Sequence, residues 1–190
     1  MFVDYVTLLL VNMAAGLVIL ALFFWKGLGS PGEKSWAASL AAVGLVAFTV
    51  GLHMTLTWPI PKLEAANLRW ANAAYGEMSV LLGVAFLVAA LAVSKGWTLV
   101  PVTLYGCIAG AMAVLIGVRI MDLGLSAAPL MTGVGFILTG AAGALALGVA
   151  LAPRVRLLRA VAAIDLLVSA GIWVLTAVMG YWMHLKMFSS

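Results

Sequence analysis

The chain has 190 residues, 66% hydrophobic and only 8% charged, with a mean hydropathy of +1.22. A soluble domain carries about a quarter charged residues and under half apolar ones, so a soluble enzyme, a disordered regulator and a nucleic-acid reader are excluded. The formal net charge of +4 is what short basic loops on an integral membrane protein produce, and it does not indicate a nucleic-acid partner.

At about 20 apolar residues per bilayer crossing, the expectation is one membrane domain over residues 1–190 with no room for an extramembrane one. The first apolar run covers residues 5–25 and stops at Lys26 and the turn-forming stretch from Gly27 to Gly32. It lacks a basic leader and is longer than a signal-peptide core, so it reads as a span. The second, residues 36–57, ends at Trp58-Pro59-Ile60-Pro61, because proline removes a backbone donor and disfavours helix in the residue before it. The third and fourth cover residues 75–93 and 99–121. The fifth, 129–151, opens on Pro129, where a missing N–H does no harm, and the sixth covers 157–184. Each can cross the hydrocarbon layer, of roughly 30 Å. The predicted fold is an all-α integral membrane protein, a six-transmembrane-helix bundle. The one cysteine, Cys107, can form no intrachain disulfide.

Loops after the odd spans hold Lys26, Lys34, Lys95, Arg154, Arg156 and Arg159, against Lys62, Arg69, Arg119 and Lys186 on the other side. That bias places both termini outside, together with the long loop 58–74. Trp25, Trp36, Trp58, Trp97 and Trp182 fall at span ends, where interfacial tryptophans belong. Three stretches, Gly16-Leu17-Val18 to Lys26, Gly83-Val84-Ala85 to Lys95 and Gly143-Ala144-Leu145 to Arg154, run alike. They read either as three tandem helical hairpins or as the sameness of any Ala/Leu/Val/Gly-rich helix. Gly106-x-x-x-Gly110, with Gly133, Gly140 and Gly143 on the fifth span, marks close helix approach, within one bundle or in a dimer.

An ionisable group within a span costs about 2.5–3.5 kcal/mol on insertion scales and is a functional candidate by default. Asp165 is the deepest, with Ser169 and Trp173 following at i+4 and i+8 on its face. It is a candidate to bind a polar solute, orient a pore side chain or relay a proton; a tie between helices is the structural alternative. His53 is flanked by Thr49 and Thr57. Glu77 opens the third span, where capping the helix dipole would also account for it. Arg119 and Asp122 are spaced to pair, and His184 lies beside Trp182. His53, Glu77 and Arg119 would form a polar outer mouth, or simply the membrane boundary. No phosphate loop, CxxC pair, zinc pattern or nucleophile triad occurs. No enzyme activity, metal or cofactor is expected.

The segment Gly51-Leu52-His53-Met54-Thr55-Leu56-Thr57-Trp58-Pro59-Ile60-Pro61, followed by Asn72 and Tyr75-Gly76-Glu77, resembles an uncharacterised family of archaeal and bacterial six-span membrane proteins. That resemblance implies the plasma membrane of a prokaryotic cell. More distantly, the length, span count and long second external loop are similar to those of acid-activated urea channels and short-chain amide channels. Tyr75-Gly76-Glu77-Met78-Ser79-Val80-Leu81-Leu82 and Ala163-Ile164-Asp165 follow that family's order, with Asp in place of its Glu. This resemblance implies a ring of homo-oligomeric protomers, each built from a three-fold repeated hairpin. The fifth span has Phe136 but no tryptophan, the third offers Phe86, and the long loop lacks histidine, so the resemblance implies a pore for a different small solute without acid gating.

The expected function is a channel or facilitator for small neutral polar solutes (urea, short amides, ammonia). Asp165, Ser169 and Trp173 would face the path, and Phe86 and Phe136 would supply apolar walls. Two alternatives stand beside it: a membrane anchor or accessory subunit of a redox complex, with His53 and His184 near a quinone or haem, and a proton-coupled transporter using Asp165.

Overall fold

The structure, a computed structural model, describes residues 4–57 and 69–188. The expected stop signal at residues 58–61 and Lys62 lies outside the described residues. Among the described residues there is no strand. Helix α1 spans Tyr5–Leu22 and runs on through a π-helical turn, Phe23–Gly27. It starts at Asp4, whose carboxylate accepts the Thr7 N–H at 3.1 Å, satisfying one of the donors a helix start leaves free. A 3-10 turn, Glu33–Trp36, leads into α2, Ala37–Thr57. A second π-helical turn, Asn72–Glu77, leads without a break into α3, Met78–Lys95. Then follow α4, Val100–Leu123, α5, Pro129–Leu151, and α6, Arg156–Phe188. Gly96 and Gly124, at φ of +70° and +62°, end α3 and α4, a left-handed conformation that costs glycine nothing.

Six helices are long and apolar enough to cross a membrane, and their ends fall within a few residues of the expected ones. The third span opens three residues earlier than expected, at Asn72. Glu77 is therefore more than a turn inside the helix, and capping of a helix start does not account for it.

The helices form an up-and-down ring. Each lies beside its chain neighbours, and α6 closes against α1. Tight and loose contacts alternate: α2 with α3, α4 with α5 and α6 with α1 are close, while α1–α2, α3–α4 and α5–α6 are more open. Each of the expected hairpin units thus meets the next unit more closely than its own two helices meet each other.

Glycine makes the close seams. A Cβ on Gly110 would fall 2.4 Å from the Gly140 carbonyl oxygen, and one on Gly140 equally close to that of Gly110. Gly117 with Gly133, and Gly143 with the Gly106 carbonyl, repeat the contact along α4 and α5. Gly106-x-x-x-Gly110 is thus a seam within the bundle. At the opposite end from Asp4, the Arg159 guanidinium donates to the carbonyls of Phe24, Trp25 and Leu28, satisfying the acceptors left free where α1 stops. Trp25, Trp97 and Trp182 are 53%, 61% and 80% exposed, as interfacial rings should be. Trp36 instead turns inward, edge-on to Phe23 at 6.1 Å.

Candidate functional site

The ring holds a half-open cavity of about 140 Å³. All six helices contribute to its wall, through Leu17, Leu40, Phe86, Ala113, Phe136 and Leu166 among others. Among the described residues the only polar lining side chains are Thr103 and Thr139, and none is ionisable. The space exists because α3 and α4 meet loosely and because α4 and α5 face it with glycine and alanine, including Gly106, Ala109, Ala142 and Ala146. Phe86 reaches across from α3 to α1, where a Cβ on Gly16 would stand 3.2 Å from its ring tip.

An aromatic column runs from the start of α3 into the bundle. Trp70 lies 5.9 Å from Tyr75, Tyr75 5.5 Å from Phe136, and Phe136 5.2 Å from Trp173, the last pair edge to face, an arrangement that ring quadrupoles favour. The Thr132 hydroxyl, beside Tyr75, accepts from Ser126 at 2.9 Å.

Behind Phe136 sits a polar hub. The Trp173 indole N–H donates to the Thr139 hydroxyl at 2.8 Å, and the Thr139 and Ser169 hydroxyls lie 2.7 Å apart. Thr139 gives its own proton to the Gly135 carbonyl at 2.8 Å, so Ser169 donates to Thr139. Trp173 and Ser169 are fully buried, and every polar atom in this knot is used. Such a knot fixes α6 against α5 at one register, since buried polar groups stay paired or pay for it.

Two of the five expected path residues, Phe86 and Phe136, line the cavity; Asp165, Ser169 and Trp173 do not. Ser169 and Trp173 stand one layer back, joined to it through Thr139. Asp165 shares a face of α6 with Leu158 and Ile172, which meet Gly148 and Gly135 of α5. Its Oδ2 is buried there without a hydrogen-bond partner.

The expected mouth residues are dispersed. The His53 ring stacks on Tyr5 at 5.4 Å, and its Nδ1 lies 3.4 Å from the Thr57 hydroxyl. His184 meets the Asp4 carboxylate. Both histidines therefore lie against the start of α1. Arg119 pairs with Asp122, both half-exposed, and Glu77 is exposed. No group of three metal-ligating side chains occurs among the described residues.

Several polar contributors carry no charge and escaped the sequence reading: Thr139 at the hub, Thr132 beside Tyr75, and Asn12, whose Nδ2 donates to the Val43 carbonyl at 3.0 Å. Asn12 had a signal, a lone amide in an apolar run. The threonines had none, because most helical threonines satisfy themselves on their own backbone.

The chain belongs to the family described as protein of unknown function (DUF981), whose model matches residues 1–187. That agrees with the expected uncharacterised family, and no match to urea or amide channels accompanies it. No curated protein and no solved structure matches the chain.

Proposed function

We propose that this DUF981 protein is a membrane facilitator for small neutral solutes, of the class of short amides, urea and ammonia, with the central cavity as the wide part of the path. The observation that carries this reading is the uncharged cavity walled by all six helices of a closed ring. A bare ion entering such a space would lose its hydration with neither a charged side chain nor a ring of carbonyls to replace it. A small neutral molecule loses far less. A water molecule's share of liquid volume is about 30 Å³, so the cavity suits a solute of a few non-hydrogen atoms. Phe23, Phe24, Phe86 and Phe136 are the bulky groups in its wall, and they would set the width. Proton coupling through Asp165 is not part of this reading, because that carboxyl is outside the wall. The basic loops at Lys26, Lys34, Lys95 and Arg154 would face the cytoplasm of a prokaryotic cell.

Stopped-flow light scattering on proteoliposomes tests it, with urea, acetamide, ammonia and glycerol against empty vesicles. Faster uptake of one or more, without ionic conductance, is the expected result. Flux equal to that of empty vesicles for all four would overturn the reading.

A further inference from the structure

The cavity is long for its volume of about 140 Å³. Its lining runs on α3 from Met78 to Val93 and on α4 from Leu99 to Ala113, about 20 Å of helix at roughly 1.5 Å per residue. It is therefore a narrow slot parallel to the helices. Its ends are shut, by the buried rings of Phe23 and Phe24 at one and by the buried Met13 and Phe136 at the other. Its side is open. Leu81, Ala85 and Ala89 of α3 and Thr103, Gly106 and Ala109 of α4 are only half-buried, along the seam where neighbouring helices meet most loosely. The flanking Val88 and Leu91 on α3 and Leu104 and Ile108 on α4 are exposed. These helices are apolar enough to cross a membrane, so what stands at the opening is hydrocarbon.

A second hollow adjoins the slot at its Phe24 end. Ser30, Glu33, Lys34, Trp97 and Thr98 line it, together with Val93, which also lines the slot. Thr98 in the hollow and Leu99 in the slot are consecutive residues. The hollow is polar where the slot is not. Its Glu33 carboxylate accepts the Gly29 N–H at 3.1 Å, and the exposed Lys34 supplies its cation. Trp97, exposed beside it, is the ring type that sits at the level of lipid headgroups.

We infer that slot and hollow together hold one phospholipid of the surrounding bilayer, with a hydrocarbon chain in the slot and the phosphate at Lys34, Ser30 and Thr98. One leaflet is half of a hydrocarbon layer of roughly 30 Å, so its chain fits the length of the slot. An empty apolar void forfeits the dispersion contacts of its lining. A hydrocarbon chain restores them and gives up no hydrogen bonds on entering. Basic pockets at the cytoplasmic ends of spans are where anionic headgroups bind. The inference goes beyond the facilitator reading and does not rest on it. Chain and solute would share one space, so each would exclude the other.

Photolabelling of the full chain in nanodiscs tests this, with a phospholipid that carries a diazirine at the middle of one chain. Peptide mapping by mass spectrometry then locates the label. Ile108 faces outward and is labelled by any lipid, whereas Leu17, Leu40 and Leu166 are buried and only a chain inside the slot can reach them. Label on these interior leucines is the expected result. Ala85→Phe and Ala109→Phe, which fill the slot from α3 and α4, should each remove the interior label and keep that on Ile108. Lys34→Gln should weaken the interior label several-fold. A cooperative thermal transition in each variant verifies folding. Wild-type protein labelled at Ile108 but at none of the three leucines would overturn the site, as would interior label undiminished in both slot-filling variants. Interior label unchanged in Lys34→Gln would overturn the headgroup placement. Flux is measured separately: interior label without solute flux overturns the facilitator reading alone, and flux without interior label overturns the lipid site alone.

Discussion

The Thr139 hydroxyl takes part in three hydrogen bonds at the α5–α6 seam, and its loss would strand the fully buried Trp173 N–H. Leaving such a donor unpaired costs about 1–3 kcal/mol, so Thr139→Val should lower stability by that order in detergent unfolding. Ser169→Ala removes one donor and strands nothing, since Thr139 still accepts from Trp173; about 0.5–1.5 kcal/mol is expected. Asp165 belongs to the opposite case. It stood out in the sequence by its charge, and charge in a span is a sound pointer to expense, but the side chain lies off the cavity wall. Asp165→Asn should therefore leave solute flux at the wild-type level in the vesicle assay; a large loss would put the path along α6. The hub was legible only in part: Ser169 and Trp173 stood out on the face of Asp165, but Thr139 looks like any helical hydroxyl, and only the register between α5 and α6 reveals that it reaches across.

At the scale of the helix, the spans were legible because a bilayer demands an apolar run of fixed length, and the caps added proline and glycine at the right places. Which face of each helix meets protein was not legible, because lipid and protein interior are alike apolar and leave no polar stripe to mark the outside. Glycine spacing on α4 and α5 was the partial exception. Its meaning became clear only where backbones meet: Gly110 and Gly140 touch carbonyl to Cα, while a Cβ on Gly106 would enter open space. Gly140→Ala should cost about 1–3 kcal/mol or more, because a carbonyl cannot yield as a flexible side chain does. Gly106→Ala should be close to neutral. Unfolding of the two variants side by side, in the same detergent, measures the contrast.

For the whole molecule, the alternation of tight and open contacts round the ring explains why a cavity is present and why it lies against α3 and α4, the loosest neighbours. A bulky side chain placed there should act on passage more than on stability. Ala109→Phe, in the lining of α4, should reduce solute flux toward that of empty vesicles while the protein still folds; undiminished flux would move the path elsewhere. Closure of α6 on α1 also has a consequence for biosynthesis. Helix α1 has one of its closest partners in α6, which is synthesised five helices later. Until α6 arrives, Thr7 lacks the Gly180 surface that covers it, and the carbonyls of Phe24, Trp25 and Leu28 wait for Arg159. A chain whose synthesis stops after α5 is an open crescent with bare acceptors at one end of α1, which distinguishes it from the finished ring for any protease that polices the membrane.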